Sequence, residues 1–228
     1  AEAQARRAVA LDDRDASAHG VLADALERAG RLDEAAGAAA RAQALDPTPA
    51  RRERRDALTT RAGAALPSAL RDLESARTVT RAQVAAWFAL RLSGVVAHAP
   101  KRQTIVVTDL RGHWAATSAQ ALLDAAWMTA RPNHTFEPDG PLTRADLAVI
   151  VAAALPDVMA GREAQLARWR TATPALPDVR PEHRAFAAIR LAVAAGIMAS
   201  EGDQFAPGRL VSGADLVAVV ARLERAAR

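Results

Sequence analysis

The sequence predicts a mostly α-helical protein, and three observations support this fold class. Half of the 228 residues are apolar, only 4% are aromatic and none is tyrosine, so the core must be built mainly from Ala, Leu and Val. Alanine-rich runs such as residues 35–40 favour closely packed helices, because Ala loses least on entering a helix. The other two observations are a repeat of 34 residues near the N terminus and a helix-start sequence that occurs three times.

The N-terminal part, residues 1–66, carries the 34-residue repeat. Residues 8–15 (AVALDDRD) align with residues 42–49 (AQALDPTP), and one complete copy spans residues 16–49. In that copy two leucines lie on one face of the first helix and a glycine allows the chain to turn. Small alanines then let the second helix pack closely against the first, and a proline ends the second helix. The positions resemble the tetratricopeptide repeat (TPR) family in residue type and spacing: Leu22, Ala23, Leu26, Gly30, Ala35, Ala39, Ala42 and Pro47.

This resemblance implies a short stack of helical hairpins that engages a protein partner in a concave groove. Only about one and a half repeats are present, so residues 50–66 are expected to form a capping helix whose arginines (RRERR, 51–55) face water. Two roles are equally expected for this short stack of helices: packing onto a neighbouring domain and binding a ligand. Residues 67–77, which begin at Pro67, are the expected linker.

After the linker, a repeated unit with a different period begins. A shift of 69 residues places Phe136 on Phe205, and residues 107–115 align with residues 176–185 at a similar spacing. Each unit is expected to contain an Asp turn, a helix, a short loop with Phe-x-Pro and a second helix. The start of that second helix occurs three times: TVTRAQVAAW (78–87), PLTRADLAVI (141–150) and RLVSGADLVA (209–218).

Capping explains most of these three helix starts. A Thr or Ser stands at the N-cap and an acid or amide follows three residues later, which is the spacing of a capping box. Apolar residues behind each cap recur at helical spacing and predict a buried stripe. The structural pairs are Thr80 with Gln83, Thr143 with Asp146, and Ser212 with Asp215.

Capping does not explain the arginines at two of the three starts. A cation in the first turn opposes the helix macrodipole, and Arg81 and Arg144 occupy equivalent positions there. A helix N terminus together with a guanidinium forms an anion receptor, while pairing with a neighbouring carboxylate is the structural alternative. If these arginines bind a ligand, replacing either by Ala should leave the melting temperature nearly unchanged.

The repeated unit resembles the S-layer homology (SLH) module. The match is strongest where DLRGHWA (109–115) and TFEPDGPLTRADLA (135–148) stand in order, it is good over 176–225, and over 78–95 only the final helix is recognisable. The resemblance implies a pseudo-threefold helical domain over 78–228. Its expected units are 78–106, a partial first unit, then 107–155 and 176–228.

The SLH resemblance also implies a function and a location. It indicates a bacterial cell-envelope protein, at the cell surface or in the periplasm, which binds an acidic cell-wall polysaccharide or peptidoglycan-associated polymer. Arg81 and Arg144 would help to hold that polymer, and Trp114 could stack on a sugar face or belong to the core. Gly213 stands where the third arginine is expected, and restoring an arginine there could add affinity.

Two further departures from the SLH pattern concern the turn and the loop of the last unit. Arg184 occupies the position nearest to that of Trp114, one residue out of step with it under the 69-residue shift. The loop SEGDQF keeps only Gly202 and Asp203 of the glycine-containing pattern.

Several functional classes are disfavoured by composition and motifs. The net charge of +4 comes almost entirely from arginine interspersed with acids, which argues against nucleic-acid binding. No catalytic motif or cofactor-binding loop is present, there is no cysteine, and no stretch is apolar enough for a membrane span. Near-equivalent turns carry His113, His134 and His183, where a shared structural hydrogen bond is a better explanation than a metal. The chain opens within a repeat, so residue 1 is not expected to be the start of the gene product.

The sequence therefore supports two functions, neither of them enzymatic. In the first, the SLH-like domain anchors the protein to wall polymer and the TPR part engages protein. In the second, the chain is an interaction or scaffold subunit of a larger assembly. An anchor requires Arg81 and Arg144 open to solvent in a groove, whereas an assembly subunit would bury them against a partner or internal acids. In either case any strands should be short and near residues 104–107, Phe136 or Phe205.

Overall fold

The computed structural model consists of helices joined by short loops, which confirms the predicted mostly α-helical class. It describes residues 1–200, 202 and 204–228, and within them every side chain except those of residues 33 and 62–65. Asp203, which the sequence analysis matched to the SLH loop, therefore lies outside the described residues. The chain divides into two compact units, Ala1–Arg71 and Asp72–Arg228.

The first unit contains helices α1 to α5, and small side chains build its core. The helices are α1 (Glu2–Leu11), α2 (Ala16–Arg28), α3 (Leu32–Leu45), α4 (Pro49–Ala65) and α5 (Ser68–Arg71). Asp15 caps α2 through the amide of Ser17, and the chain turns into α3 at Gly30 with a positive φ of 74°. Thr48 caps α4, where Pro49 supplies a first-turn residue that needs no hydrogen-bond donor. The core residues are Ala5, Leu22, Ala23, Leu26, Ala35, Ala38, Ala39 and Leu58.

The arginines of α4 lie on its surface and form ion pairs with the preceding helices. Arg54 contacts Asp24 (2.6 Å) and Glu27, and Arg51 contacts Asp46. Such half-exposed pairs contribute about 0.2–1 kcal/mol each, so the apolar core supplies most of the stability of this unit.

The second unit contains the remaining helices and begins within the expected linker. Leu73 lies in a 3₁₀ turn (Leu73–Ser75) and is buried against this unit. The helices are α6 (Arg81–Arg91), α7 (Ser93–His98), α8 (Ala116–Asp124), α9 (Arg144–Val158), α10 (Glu163–Thr171), α11 (Phe186–Ala194) and α12 (Gly213–Ala226). Helix α6 packs on α8, α9 packs on α11, and α12 packs on α6, α9 and the 3₁₀ turn.

Three chain segments of the second unit close into a ring of backbone hydrogen bonds. The amide of Val79 donates to the carbonyl of Val211 (2.9 Å), Val211 donates to Leu142 (2.9 Å), and Leu142 donates back to Val79 (3.4 Å). All three side chains are buried. Each segment immediately precedes one of the three repeated helix starts, so this backbone ring joins all three units.

The expectation that any strands would be very short agrees with the structure, which has no strand within the described residues. Isolated bridges join Thr80 to Pro141 and Thr143 to Leu210, beside the helix starts, and a bridge residue also lies at Gln204, next to Phe205. The amides of Phe136 and Phe205 bond to side-chain carboxylates instead of a neighbouring strand, which leaves no ladder to extend.

Candidate functional site

All three repeated helices begin with the same capping arrangement. The N-cap hydroxyl accepts a hydrogen bond from the amide three residues later, and the side chain at that later position accepts one from the N-cap amide. Two otherwise unpaired donors are thus satisfied at each helix start. The pairs are Thr80 with Gln83, Thr143 with Asp146, and Ser212 with Asp215.

Arg81, in the first turn of α6, is directed into the loop of the following unit. Its Nε donates to the carbonyl of Phe136 (2.6 Å) and a terminal nitrogen donates to the carbonyl of Thr129 (2.7 Å). The guanidinium also lies over the Phe136 ring, 4.6 Å from its centroid. Burial, together with the charge of Arg131, lowers the pKa of Arg81 from its ordinary value.

Arg144 makes the same contacts one unit further on. Its Nε donates to the carbonyl of Phe205 (2.7 Å), and a terminal nitrogen donates to the carbonyl of Ala199 (2.6 Å). The Phe205 ring lies 4.7 Å from the guanidinium. Each arginine thus holds the Phe-x-Pro loop of the next unit, an arrangement that we call the arginine–loop contact.

This geometry differs from the one that the wall-anchor hypothesis predicted for the two arginines. Arg81 and Arg144 are only 7% and 4% exposed, so neither lies open in a groove. The expectation that their loss would leave stability unchanged needs the same correction, because in each loop one buried and one partly buried hydrogen bond to a carbonyl would lose its charged donor. Whether either arginine takes part in polymer binding stays a prediction.

The Asp of each repeated turn holds the same loop from the other side. Asp109 accepts hydrogen bonds from the amides of Phe136 and Glu137, both at 2.7 Å. Asp178 does the same for the amides of Phe205 (2.9 Å) and Ala206 (2.6 Å). The sequence marked an Asp turn in both units but assigned these carboxylates no role, and their recurrence was the available signal.

Hydrogen bonding determines the charge state of these two carboxylates. Burial raises the pKa of Asp109, but the bonds from Phe136 and Glu137 outweigh it and the pKa lies below its ordinary value. The pKa of Asp178 is lowered by the same balance, with Phe205 and Ala206 as donors. Both loops therefore depend on ionised carboxylates.

Gly213, at the third helix start, allows another segment to approach closely. Its amide donates to the carbonyl of Ala76 (2.8 Å), where Arg144 donates to Arg209 (2.8 Å). A Cβ added at Gly213 would lie 1.5 Å from the carbonyl oxygen of Leu73. The suggestion that an arginine at 213 could restore a site is therefore wrong, because the 3₁₀ turn Leu73–Ser75 occupies that space.

Trp114 is the exposed member of the predicted site. It is 43% exposed, and its ring lies 5.6 Å from that of His113, which accepts a hydrogen bond from the amide of Ala115 (3.2 Å). His183 accepts the same bond from Ala185 (3.1 Å). A shift of 70 residues therefore aligns these turns, and Trp114 is in step with Arg184 rather than one residue out of step.

The turns also lie close to the helix starts. Arg184 reaches the capping carboxylate of Asp146 at 3.3 Å. His134 differs from the other two histidines, since its carbonyl accepts a bond from the amide of Thr108 (3.1 Å). No cluster of three or more potential metal ligands occurs in the part of the chain that the structure describes.

Comparison with known families identifies the repeated unit. The S-layer homology domain model matches residues 108–148 and 175–217, which include Asp109, Arg144 and Asp178. No tetratricopeptide family is detected, and no curated protein matches the chain. Among the described helices, none is long and apolar enough to cross a membrane. The two matches indicate a protein of the bacterial cell envelope or surface.

Proposed function

We propose that this chain is a non-catalytic envelope protein whose SLH-like part attaches it to an acidic, peptidoglycan-associated polysaccharide. The observation that carries the proposal is the pair of S-layer homology matches, since such domains are cell-wall anchoring modules. The matched residues include the Asp turns and both Phe-x-Pro loops.

Within this proposal the conspicuous residues divide into two roles. Trp114 is the proposed sugar contact, because it offers a half-exposed aromatic face beside a fixed histidine. Arg81 and Arg144 are positioning residues that shape the loops of the binding surface through the arginine–loop contact.

We further propose that residues 1–66 form the TPR-like segment that engages a protein partner, with 67–77 as the linker and 78–228 as the anchoring domain. Helical hairpins with a small-residue core support this assignment. The partner would be recruited to the envelope through the anchored chain.

Cosedimentation with purified peptidoglycan sacculi tests the anchoring proposal. The purified protein should pellet with sacculi that keep their attached polymer and stay in solution with sacculi stripped of it. Trp114→Ala should reduce the pelleted fraction, whereas Val106→Ala, a truncation of another exposed apolar side chain, should leave it unchanged. Equal pelleting with stripped and intact sacculi would refute attachment through the polymer.

A scaffold subunit without glycan binding is the second candidate. The burial of Arg81 and Arg144 favours it, since burial removes the solvent-open receptor that an anchor was expected to present. The same cosedimentation separates the two functions, because a scaffold subunit would pellet with neither preparation.

A further inference from the structure

The second unit contains a pocket that the proposed anchoring role does not use. It has a volume of about 490 Å³ and lies where α9 and α12 end, next to α10 and the end of α11. Met159 and Ile197 are buried and form an apolar floor. Polar and aromatic side chains surround this floor: Arg162, Gln165, Trp169, Arg222 and Arg225.

The charge of this C-terminal pocket is entirely positive. None of its lining residues is acidic, and in the described part of the chain Arg162, Arg222 and Arg225 have no carboxylate partner. Two of the three are instead oriented by carbonyls, with Arg162 donating to Val158 (3.0 Å) and Arg222 to Ile197 (3.0 Å). Two guanidinium groups are thus fixed at one rim without neutralisation.

The SLH-like repeat that precedes the last one fills the equivalent space with its own side chains. There Trp127 is buried and its indole N–H donates to Asp157 (2.7 Å), which also pairs with Arg102 (2.6 Å). Ile197 replaces Trp127 under the 70-residue shift, and Ala226 replaces Asp157 under the 69-residue shift. Both replacements are smaller and neither is charged, so the last unit lacks the groups that fill and neutralise the space in the preceding one. The 69-residue shift also places Arg222 and Arg225 on Ala153 and Pro156, so these two cations of the pocket have no counterpart in the preceding unit.

Helix stability accounts for only part of this arrangement. Arg222 and Arg225 lie near the C terminus of α12, where a cation suits the helix macrodipole. That effect does not require Arg162 and Trp169, which come from a different part of the chain, to line the same open volume. A ligand with complementary charge accounts for all of these residues together.

We propose that the C-terminal pocket binds an anionic saccharide unit. The guanidinium groups of Arg162 and Arg225 would take a carboxylate, Trp169 would pack against the sugar face, and Gln165 would bond a hydroxyl. The volume lies in the range of about 300–1,000 Å³ typical of small-ligand pockets. The pocket lies at the end of α9 opposite to Arg144, roughly 20 Å away along this 15-residue helix. This proposal rests on the proposed function in one respect only, which is that wall polymer is the natural source of the saccharide.

Titration with a trimer of galacturonic acid, followed by the indole N–H signals of the tryptophans in NMR spectra, tests this proposal. The Trp169 signal, assigned with Trp169→Phe, should shift with the acidic trimer and not with neutral maltotriose. Arg225→Ala and Arg162→Gln should each weaken binding at least about tenfold, the usual effect of removing a charged hydrogen bond. Arg180→Ala removes one exposed arginine outside the pocket and should leave affinity unchanged.

Two outcomes would overturn the proposal. Unchanged affinity in both pocket variants would show that the trimer binds elsewhere. A Trp169 shift of equal size with inorganic phosphate at matched ionic strength would show a simple anion site without saccharide recognition. Sacculus cosedimentation of the same variants separates this question from anchoring, because the protein can pellet with polymer while the pocket fails to bind the trimer, and the reverse.

Discussion

At the residue scale, the arginine of the repeated helix start is explained by where its donors point. A first-turn cation costs about 0.3–1 kcal/mol against the helix macrodipole. In return, Arg144 donates to the carbonyls of Ala199 and Phe205 and covers the Phe205 ring. A planar fork with several donors suits this pair of carbonyls better than the single ammonium group of lysine.

Replacing Arg144 or Arg81 by Ala should therefore destabilise the second unit by about 2–4 kcal/mol, because one buried and one partly buried carbonyl lose a charged donor. Urea unfolding followed by circular dichroism measures this change. Arg184→Ala is the matched control, since its side chain is 80% exposed and its single ion pair is worth at most about 1 kcal/mol. Equal midpoints for Arg144→Ala and Arg184→Ala would contradict the structural role.

Gly213 provides a second test at this scale. Gly213→Ala should lower the stability by about 1–3 kcal/mol or more, because the new Cβ meets the backbone of Leu73 and that backbone must move. Gly208→Ala is the control, since a Cβ there meets nothing within 4 Å. A Gly213→Ala protein that melts with the wild type would show that the 3₁₀ turn does not hold this position.

At the element scale, the Phe-x-Pro loop is held from two sides. The arginine of the preceding unit binds its carbonyls, and the Asp of its own unit binds its amides. These bonds stabilise an unfavourable backbone, since Glu137 and Ala206 have positive φ angles of 56° and 55°. The loop therefore needs charged groups of both signs.

The two aspartates predict how stability changes with acid. Because their folded-state pKa values lie below the ordinary value, the unfolded chain binds more protons at low pH. Their contribution is fully present above the unfolded-state pKa of about 3.9 and is lost as pH falls through the lower folded-state value. Asp109→Asn with Asp178→Asn should cost about 2 kcal/mol per site at pH 7, and the cost should shrink as pH falls through the lowered folded-state pKa of each aspartate.

Urea unfolding of this double variant and the wild type between pH 7 and pH 2 measures that difference. Asp139→Asn, at an exposed position close to the same loop, serves as the control for adding an amide to this region. A stability difference that stays constant down to pH 2 would mean that the lost bonds do not depend on ionisation.

At the scale of the whole molecule, local patterns were predictable and distant contacts were not. The capping boxes involve residues three positions apart, so the sequence was sufficient to predict their geometry. The partners of Arg81 lie about fifty residues away and are backbone carbonyls, which leave no residue-type signal. The reason for Gly213 lies in Leu73, in a segment without a recognisable unit pattern.

The backbone ring makes a prediction about cooperativity. Val79, Leu142 and Val211 come from three units, yet each amide bonds to the next and the last closes on the first. Opening any one SLH-like unit removes a hydrogen bond from both of its neighbours. The compact part of the chain from residue 72 to 228 should therefore unfold as one cooperative structure, and its three SLH-like units should not unfold one at a time.

Native-state hydrogen exchange at the amides of Val79, Leu142 and Val211 tests this central claim most directly. All three should exchange with one common opening free energy. In Arg144→Ala all three should speed up by the same factor, roughly 30-fold or more for a loss of about 2 kcal/mol, and in Arg184→Ala none should change. Acceleration confined to Leu142 and Val211, with Val79 unchanged, would show that the units open independently and that the ring does not unite them.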